Sequence, residues 1–263
     1  MLENDFAPAP PNYSTYLVLD EMLATQRPVS GEHDELLFIV VHQVYELWFK
    51  QLLHELAKLQ SDLAGGRAAQ ALHTLHRCLT VLRLAVSQVD VVETMTARDF
   101  ARFRDELGTG SGLQSAQFRE LEAVLGRRDG RITDGHPAGS ADRSRIEAAL
   151  ARPSLFDSFV EFLGTQGYPV PVRRDPAAPA EPSAAVQRVL LRVYDDDGIP
   201  AQLCERLTDF DRTWQEWRYR HVRLVERMIG ALPGTGGSSG ASYLYTTLFK
   251  PVFPDLWIIR GNF

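Results

Sequence analysis

Between Phe38 and Leu63 the chain repeats a spacing of three and four: positions 38, 42, 45, 49, 52, 56, 59 and 63 form one stripe, and Leu37, Val41, Val44 and Trp48 form a second. That period belongs to a helix, and two apolar faces predict a helix buried on two sides, running from about Leu36 to Ala64 and stopped by Gly65-Gly66. The pattern recurs along the chain. It predicts helices beginning near Tyr13, over about Ala68 to Glu93, Arg98 to Leu107, Leu113 to Leu125, Ile146 to Leu163 with a break at "RPS", Val186 to Tyr194 and Ala201 to Ile229. In the last of these Leu207, Phe210, Trp214, Trp217, His221, Val225 and Met228 share a face. The first dozen residues are rich in proline and alanine and read as a flexible segment; "GRRDGRITDGHPAGSADR" reads as a surface loop, and "GYPVPVRRDPAAPAEPSAA" as a proline-rich stretch without local structure. No strand-like alternation recurs. The expectation is an all-α fold, a single helical-bundle domain over residues 13–263 after a flexible segment at 1–12.

Composition narrows the class. A chain of 263 residues, 44% hydrophobic and 24% charged, has ample length for one large core. The net charge of −6 argues against a nucleic-acid surface. The longest uninterrupted apolar run, Leu36 to Val41, is too short to span a bilayer, and the N-terminus lacks the basic and apolar regions of a signal peptide. Cys78 and Cys204 are the only cysteines, and Cys78 falls in an apolar helical pattern, which predicts a buried thiol and a cytoplasmic protein.

Two histidines interrupt the apolar stripes, His42 and His221. A histidine there is either a satisfied core residue or a ligand. Glu46 lies one turn after His42, where a carboxylate could orient the ring. His221 sits among Arg218, Arg220, Arg223 and Arg227, more positive charge than solvation needs and suited to an anionic cofactor. There is no HxxxH or HExxH and no Cys/His cluster, which speaks against structural zinc; an iron facial triad stays open, and a haem needs only one such histidine. "GTGGSSG" lacks the GK[ST] ending of a phosphate loop and follows a helix, leaving either a segment that orders over a ligand or a plain helix-terminating loop. Arg104, between Phe103 and Leu107, is either a surface residue or a carboxylate clamp.

Three long blocks, "LFIVVHQVYELWFKQLLHEL", "FRDELGTGSGLQSAQFRELEAVLG" and "WRYRHVRLVERMIGALPGTGGSSGASYL", resemble the tryptophan 2,3-dioxygenase family, and "YSTYLVLDEML" and "RPSLFDSFVEFL" resemble its N-terminal and middle parts. The resemblance implies an enzyme holding haem b, ferrous when active, with O2 as co-substrate. It would insert both oxygen atoms across the indole C2–C3 bond of L-tryptophan to give N-formylkynurenine, the first step of the kynurenine route. Residue by residue, it implies His221 as the proximal haem ligand and His42 as the distal histidine that meets the indole N–H. Phe38 and Phe100 become pocket walls, Arg104 the clamp on the substrate carboxylate, Thr235 the contact to the ammonium and Ser111 a pocket-lining serine. Tyr13, Tyr16 and Leu17 become residues contributed to a neighbouring subunit's site in a homotetramer. The loop "GTGGSSGASYL" carries Ser238, Ser239 and Ala241, and a second outcome stays open: a haem-dependent oxygenase, even a monooxygenase, acting on a modified tryptophan.

Overall fold

The computed structural model describes residues 12–172, 175, 178, 181–237 and 239–263. Most of the expected flexible N-terminal segment, part of the proline-rich stretch and Ser238 lie outside the described residues. Among the described residues the regular structure is helical and no strand forms, as the periodicity predicts.

Thirteen α-helices follow in order among these residues: α1 (Tyr13–Leu17), α2 (Leu19–Leu23), α3 (His33–Ala64), α4 (Ala68–Ser87), α5 (Val89–Val92), α6 (Ala97–Phe103), α7 (Ala116–Val124), α8 (Ala141–Leu150), α9 (Leu155–Thr165), α10 (Ala184–Asp195), α11 (Ile199–Ile229), α12 (Ala241–Tyr245) and α13 (Pro254–Ile258). The core is built on α3, α4 and α11, with α4 packed against both long helices and α7 and α9 covering the rest of α3. Leu52, Leu56, Leu59 and Leu63 of the first stripe are buried, and they meet Leu75, Cys78 and Leu82 of α4 and Leu207, Phe210 and Trp214 of α11 in one cluster. Both cysteines are free and buried there, as expected of Cys78.

By length and composition α3 alone among the described helices would suit a membrane crossing. In the fold its C-terminal half is core, with buried Glu55 and Asp62 paired with Arg77, Lys58 and Arg67, whereas few residues of its N-terminal half are buried and the expected burial on two sides holds only beyond Phe49.

The differences from the sequence reading are local and have local causes. The helix near Tyr13 breaks at Val18, which takes φ +53°, and Asn12 caps α1 where a loose segment was expected. α3 starts three residues early because His33, Asp34 and Glu35 continue it; Glu35 turns back to accept the N–H groups of Val29 and Ser30. The helix expected over 68–93 divides at Gln88. The one expected from Arg98 closes at Phe103, and Arg104–Leu107 forms a 3-10 turn. The loop after α7 is not wholly on the surface: Ile132 and His136 are buried. The expected tail is part of the core. Phe253, Leu256 and Ile259 are buried, and fully buried Asp211 accepts the Phe253 N–H and the Trp257 indole N–H, each at 2.9 Å.

Candidate active site

The N-terminal half of α3 and the C-terminal half of α11 face a common space. Between them, with the 104–115 turn, α7 and the glycine loop, lies a cavity of about 600 Å³. Phe38, His42, Phe100, Arg104, Ser111, His221 and Thr235, dispersed over nearly two hundred positions of sequence, all line it. Tyr13, Tyr16 and Leu17 do not: they lie exposed on α1.

The helical period puts Phe38 and His42 one turn apart on α3, with ring centroids 4.1 Å apart. Phe100 and Phe103 of α6 continue the aromatic wall, each centred 5.7 Å from Phe38. The His42 Nδ1–H donates to the Phe38 carbonyl at 2.7 Å, a bond that leaves Nε2 of the neutral ring as an acceptor. Burial lowers the His42 pKa below its ordinary 6.5, against the opposing pull of the Phe38 carbonyl and the Glu46 charge. The Glu46 carboxylate is itself held by the Gln117 amide at 2.8 Å.

His221 faces the same cavity from α11. Burial pushes its pKa down to about 4, helped by His42 and Arg218, so the imidazole is neutral and its nitrogen lone pair is available. Its ring lies nearly parallel to Trp217, 14° apart with centroids at 5.2 Å.

The mouth is shaped by two loops that dock. Arg104 donates from Nη2 to the Pro233 carbonyl at 2.7 Å, and the Thr235 hydroxyl donates to the Gly110 carbonyl. Gly236 comes so close to Ser111 that a Cβ there would stand 2.5 Å from the serine Cβ.

Sequence reasoning placed the excess positive charge around His221 on Arg218, Arg220, Arg223 and Arg227. The fold corrects this. Arg220 is paired with Asp90 and Glu93, and Arg223 with Glu226. Of the four, Arg218 joins a largely buried cluster in the cavity wall, where Arg119, Arg127 and Arg218 converge on Glu122 at 2.6, 2.7 and 2.6 Å. Of the three guanidiniums, Arg127 finds a second carboxylate, Asp129, at the cluster's exposed edge. Burial would raise the Glu122 pKa, but the attraction of Arg218, Arg127 and Arg119 outweighs it and holds the carboxyl below its usual value. Arg119 keeps its Nε buried and without a partner. Arg119 and Arg127 escaped the sequence reading. The three-residue spacing of Arg119 and Glu122 was their only signal, and surface ion pairs share it.

Among the described residues the fold is all-α, with His42 and His221 facing one aromatic-walled cavity and arginines gathered on Glu122 in its wall, which defines a helical protein with a built pocket. Comparison narrows the class. The family model described as Tryptophan 2,3-dioxygenase matches residues 2–137 and 183–263. Proteins named tryptophan 2,3-dioxygenase align along nearly the whole chain. One from Anaeromyxobacter sp. (strain K) is 62% identical over 253 residues, 95% of each chain. One from Herpetosiphon aurantiacus is 50% identical over 255 residues, 95% of this chain and 97% of the relative. One from Pseudomonas aeruginosa is 38% identical over 260 residues, 95% of this chain and 89% of the relative. The chain belongs to the tryptophan 2,3-dioxygenase family.

Proposed function

We propose that the protein is a haem-dependent dioxygenase that opens the indole ring of L-tryptophan with O2 to give N-formyl-L-kynurenine. The observation that carries the reading is the hydrogen bond from His42 Nδ1 to the Phe38 carbonyl. It leaves a neutral acceptor, Nε2, on a cavity that also holds Arg104, Thr235 and His221. The residues fit the cofactor that the family implies: His221 offers a neutral imidazole to iron, and Arg119, with an unpartnered buried Nε, and its neighbours Arg127 and Arg218 offer positive charge to haem propionates. When bound as haem b in the ferrous state, that group supplies the iron chemistry that activates O2.

The rest of the task falls to the chain. Arg104, anchored through Nη2 on Pro233, keeps its other N–H groups for the substrate carboxylate. The Thr235 hydroxyl spends its hydrogen on Gly110 and meets the substrate ammonium with a lone pair. His42 Nε2 accepts the indole N–H, which would cost about 1–3 kcal/mol if buried unpaired. Phe38 and Phe100 hold the ring plane, and Ser111 closes the cavity side beneath the glycine loop. With both ends of the amino acid fixed, the C2–C3 bond is presented in one orientation, and the docked loops exclude water.

We also propose that residues 13–263 act as one domain, that the protein works in the cytoplasm, and that it is a homotetramer in which Tyr13, Tyr16 and Leu17 serve a neighbouring subunit's site. Supporting this, α1 and α2 bury no residue and offer exposed Tyr13, Tyr16, Leu17, Met22 and Leu23. A single turnover of the ferrous protein with L-tryptophan and isotopically labelled O2 tests the activity by mass analysis. The expected product is ring-opened and carries both labelled atoms. One labelled atom in an unopened ring would overturn dioxygenation in favour of a monooxygenase, and turnover of a modified tryptophan in preference to L-tryptophan would overturn the substrate.

A further inference from the structure

The two cavity histidines are held in different ways. His42 is fixed by its bond to the Phe38 carbonyl. His221 has no hydrogen-bond partner among the described residues. A histidine that binds a metal ordinarily donates its remaining N–H to a carboxylate, a carbonyl or water, and that bond sets the rotation of the ring and raises its basicity. The charged neighbour felt by His221, Arg218, is a donor and is already committed to Glu122. What His221 has is the face of Trp217, one turn earlier on α11. Trp217 is in turn immobilised by other aromatic rings. Phe118 and Trp214 lie against it at 5.0 and 5.9 Å, and Phe49 and Tyr45 stand edge-on, each at 6.4 Å.

We propose that Trp217 is a positioning residue for His221, its clamped indole face setting the rotation of the imidazole in place of a hydrogen-bond acceptor. The inference rests on the reading of His221 as the iron ligand. Offset, nearly parallel rings favour one another beyond simple burial, and an imidazole at this separation cannot turn about Cβ–Cγ without giving up that overlap. With no acceptor among the described residues, no hydrogen bond from the protein raises the basicity of the ring, and the indole face sets its rotation alone.

The test is the iron–histidine stretching band in resonance Raman spectra of the ferrous holoenzyme. Trp217→Phe keeps an aromatic face and loses the N–H; Trp217→Met fills the space with a flexible chain and loses the face. We expect one narrow band in the wild type and in Trp217→Phe. In Trp217→Met the band shifts and broadens, and haem dissociates roughly three- to tenfold faster. Phe118→Leu loosens the clamp without touching Trp217 and broadens the band by a smaller amount; it decides the matter if Trp217→Met does not fold. An unchanged band in the methionine variant, or in Phe118→Leu where that variant must stand in, overturns the proposal alone. So does a phenylalanine variant that behaves like the methionine one, because the N–H would then be the active feature. A wild type with no iron–histidine band removes the reading of His221 itself, and this proposal with it.

Discussion

At the scale of single residues the proposed site divides its work between charge and acceptor. His42 must be neutral to accept an indole N–H, and burial lowers its pKa from 6.5. The neutral form therefore predominates above pH 6.5 and is lost as pH falls through the lowered value. Turnover should be flat near neutrality and decline on the acid side, and His42→Ala should remove that decline while slowing the reaction without stopping it. Its partner in argument is N1-methylated tryptophan, a poor substrate for the wild type. A variant as sensitive to the methyl group as the wild type would refute the acceptor role. Arg104→Leu should leave haem in place and raise KM roughly ten- to a hundredfold, since a hydrogen bond to a charged group is worth about 1.5–3 kcal/mol. Steady-state kinetics with L-tryptophan and with tryptamine, which has no carboxylate, check it: a wild type that handles both equally well has no clamp at Arg104. His42 and His221 were legible because a titratable ring on an apolar stripe is anomalous. Arg119 and Arg127 were not, because "QFRELE" and "GRRDGR" read as solvated charge until α7 packs against α3 and α8, buries Arg119 and Glu122, and draws Arg127 onto that glutamate.

At the scale of elements the long helices were readable because each carries its period over many turns, and the end of α3 was marked by Gly65-Gly66. Short elements were not, because tertiary contacts decide them. The 3-10 turn at Arg104–Leu107 aims Arg104 across at Pro233, and the buried tail is fixed by Asp211, more than forty residues upstream. The contact between the glycine loop and the 104–115 turn makes its own prediction. Gly236→Ala puts a Cβ 2.5 Å from that of Ser111, so the loop must lift, and the Thr235–Gly110 bond lifts with it. KM for L-tryptophan should rise about tenfold, the loss of roughly one hydrogen bond. Ser111→Gly removes the obstructing atoms, so the double variant should recover part of that loss, and a double-mutant cycle measures it. Purely additive effects would place the two residues out of contact in the working enzyme.

At the scale of the whole molecule, two features belong to no single element. Helices of five residues are marginal alone, and α1 and α2 bury nothing in this chain. Removing residues 1–24 should leave the thermal unfolding of the core nearly unchanged while weakening assembly and raising KM; sedimentation, calorimetry and kinetics on the truncated protein separate these, and a collapse of core stability would show that the arm belongs to its own chain. The Glu122 cluster ties α7, the loop after it and α11 together. Replacing Glu122 by Gln leaves three guanidiniums without their shared carboxylate, and breaking a buried pair in this way costs about 3–5 kcal/mol. The carboxyl pKa is depressed in the fold, so the stabilisation is present above its ordinary 4.5 and lost as pH falls through the lowered value; the glutamine variant should lack that acid dependence. If haem propionates lie beside Arg119, Arg127 and Arg218, the cofactor restores part of the missing negative charge. Denaturant unfolding of haem-free and haem-loaded protein should therefore show a larger loss for Glu122→Gln without haem than with it. Equal losses in the two forms would mean that the propionates lie elsewhere and that the cluster serves the fold alone.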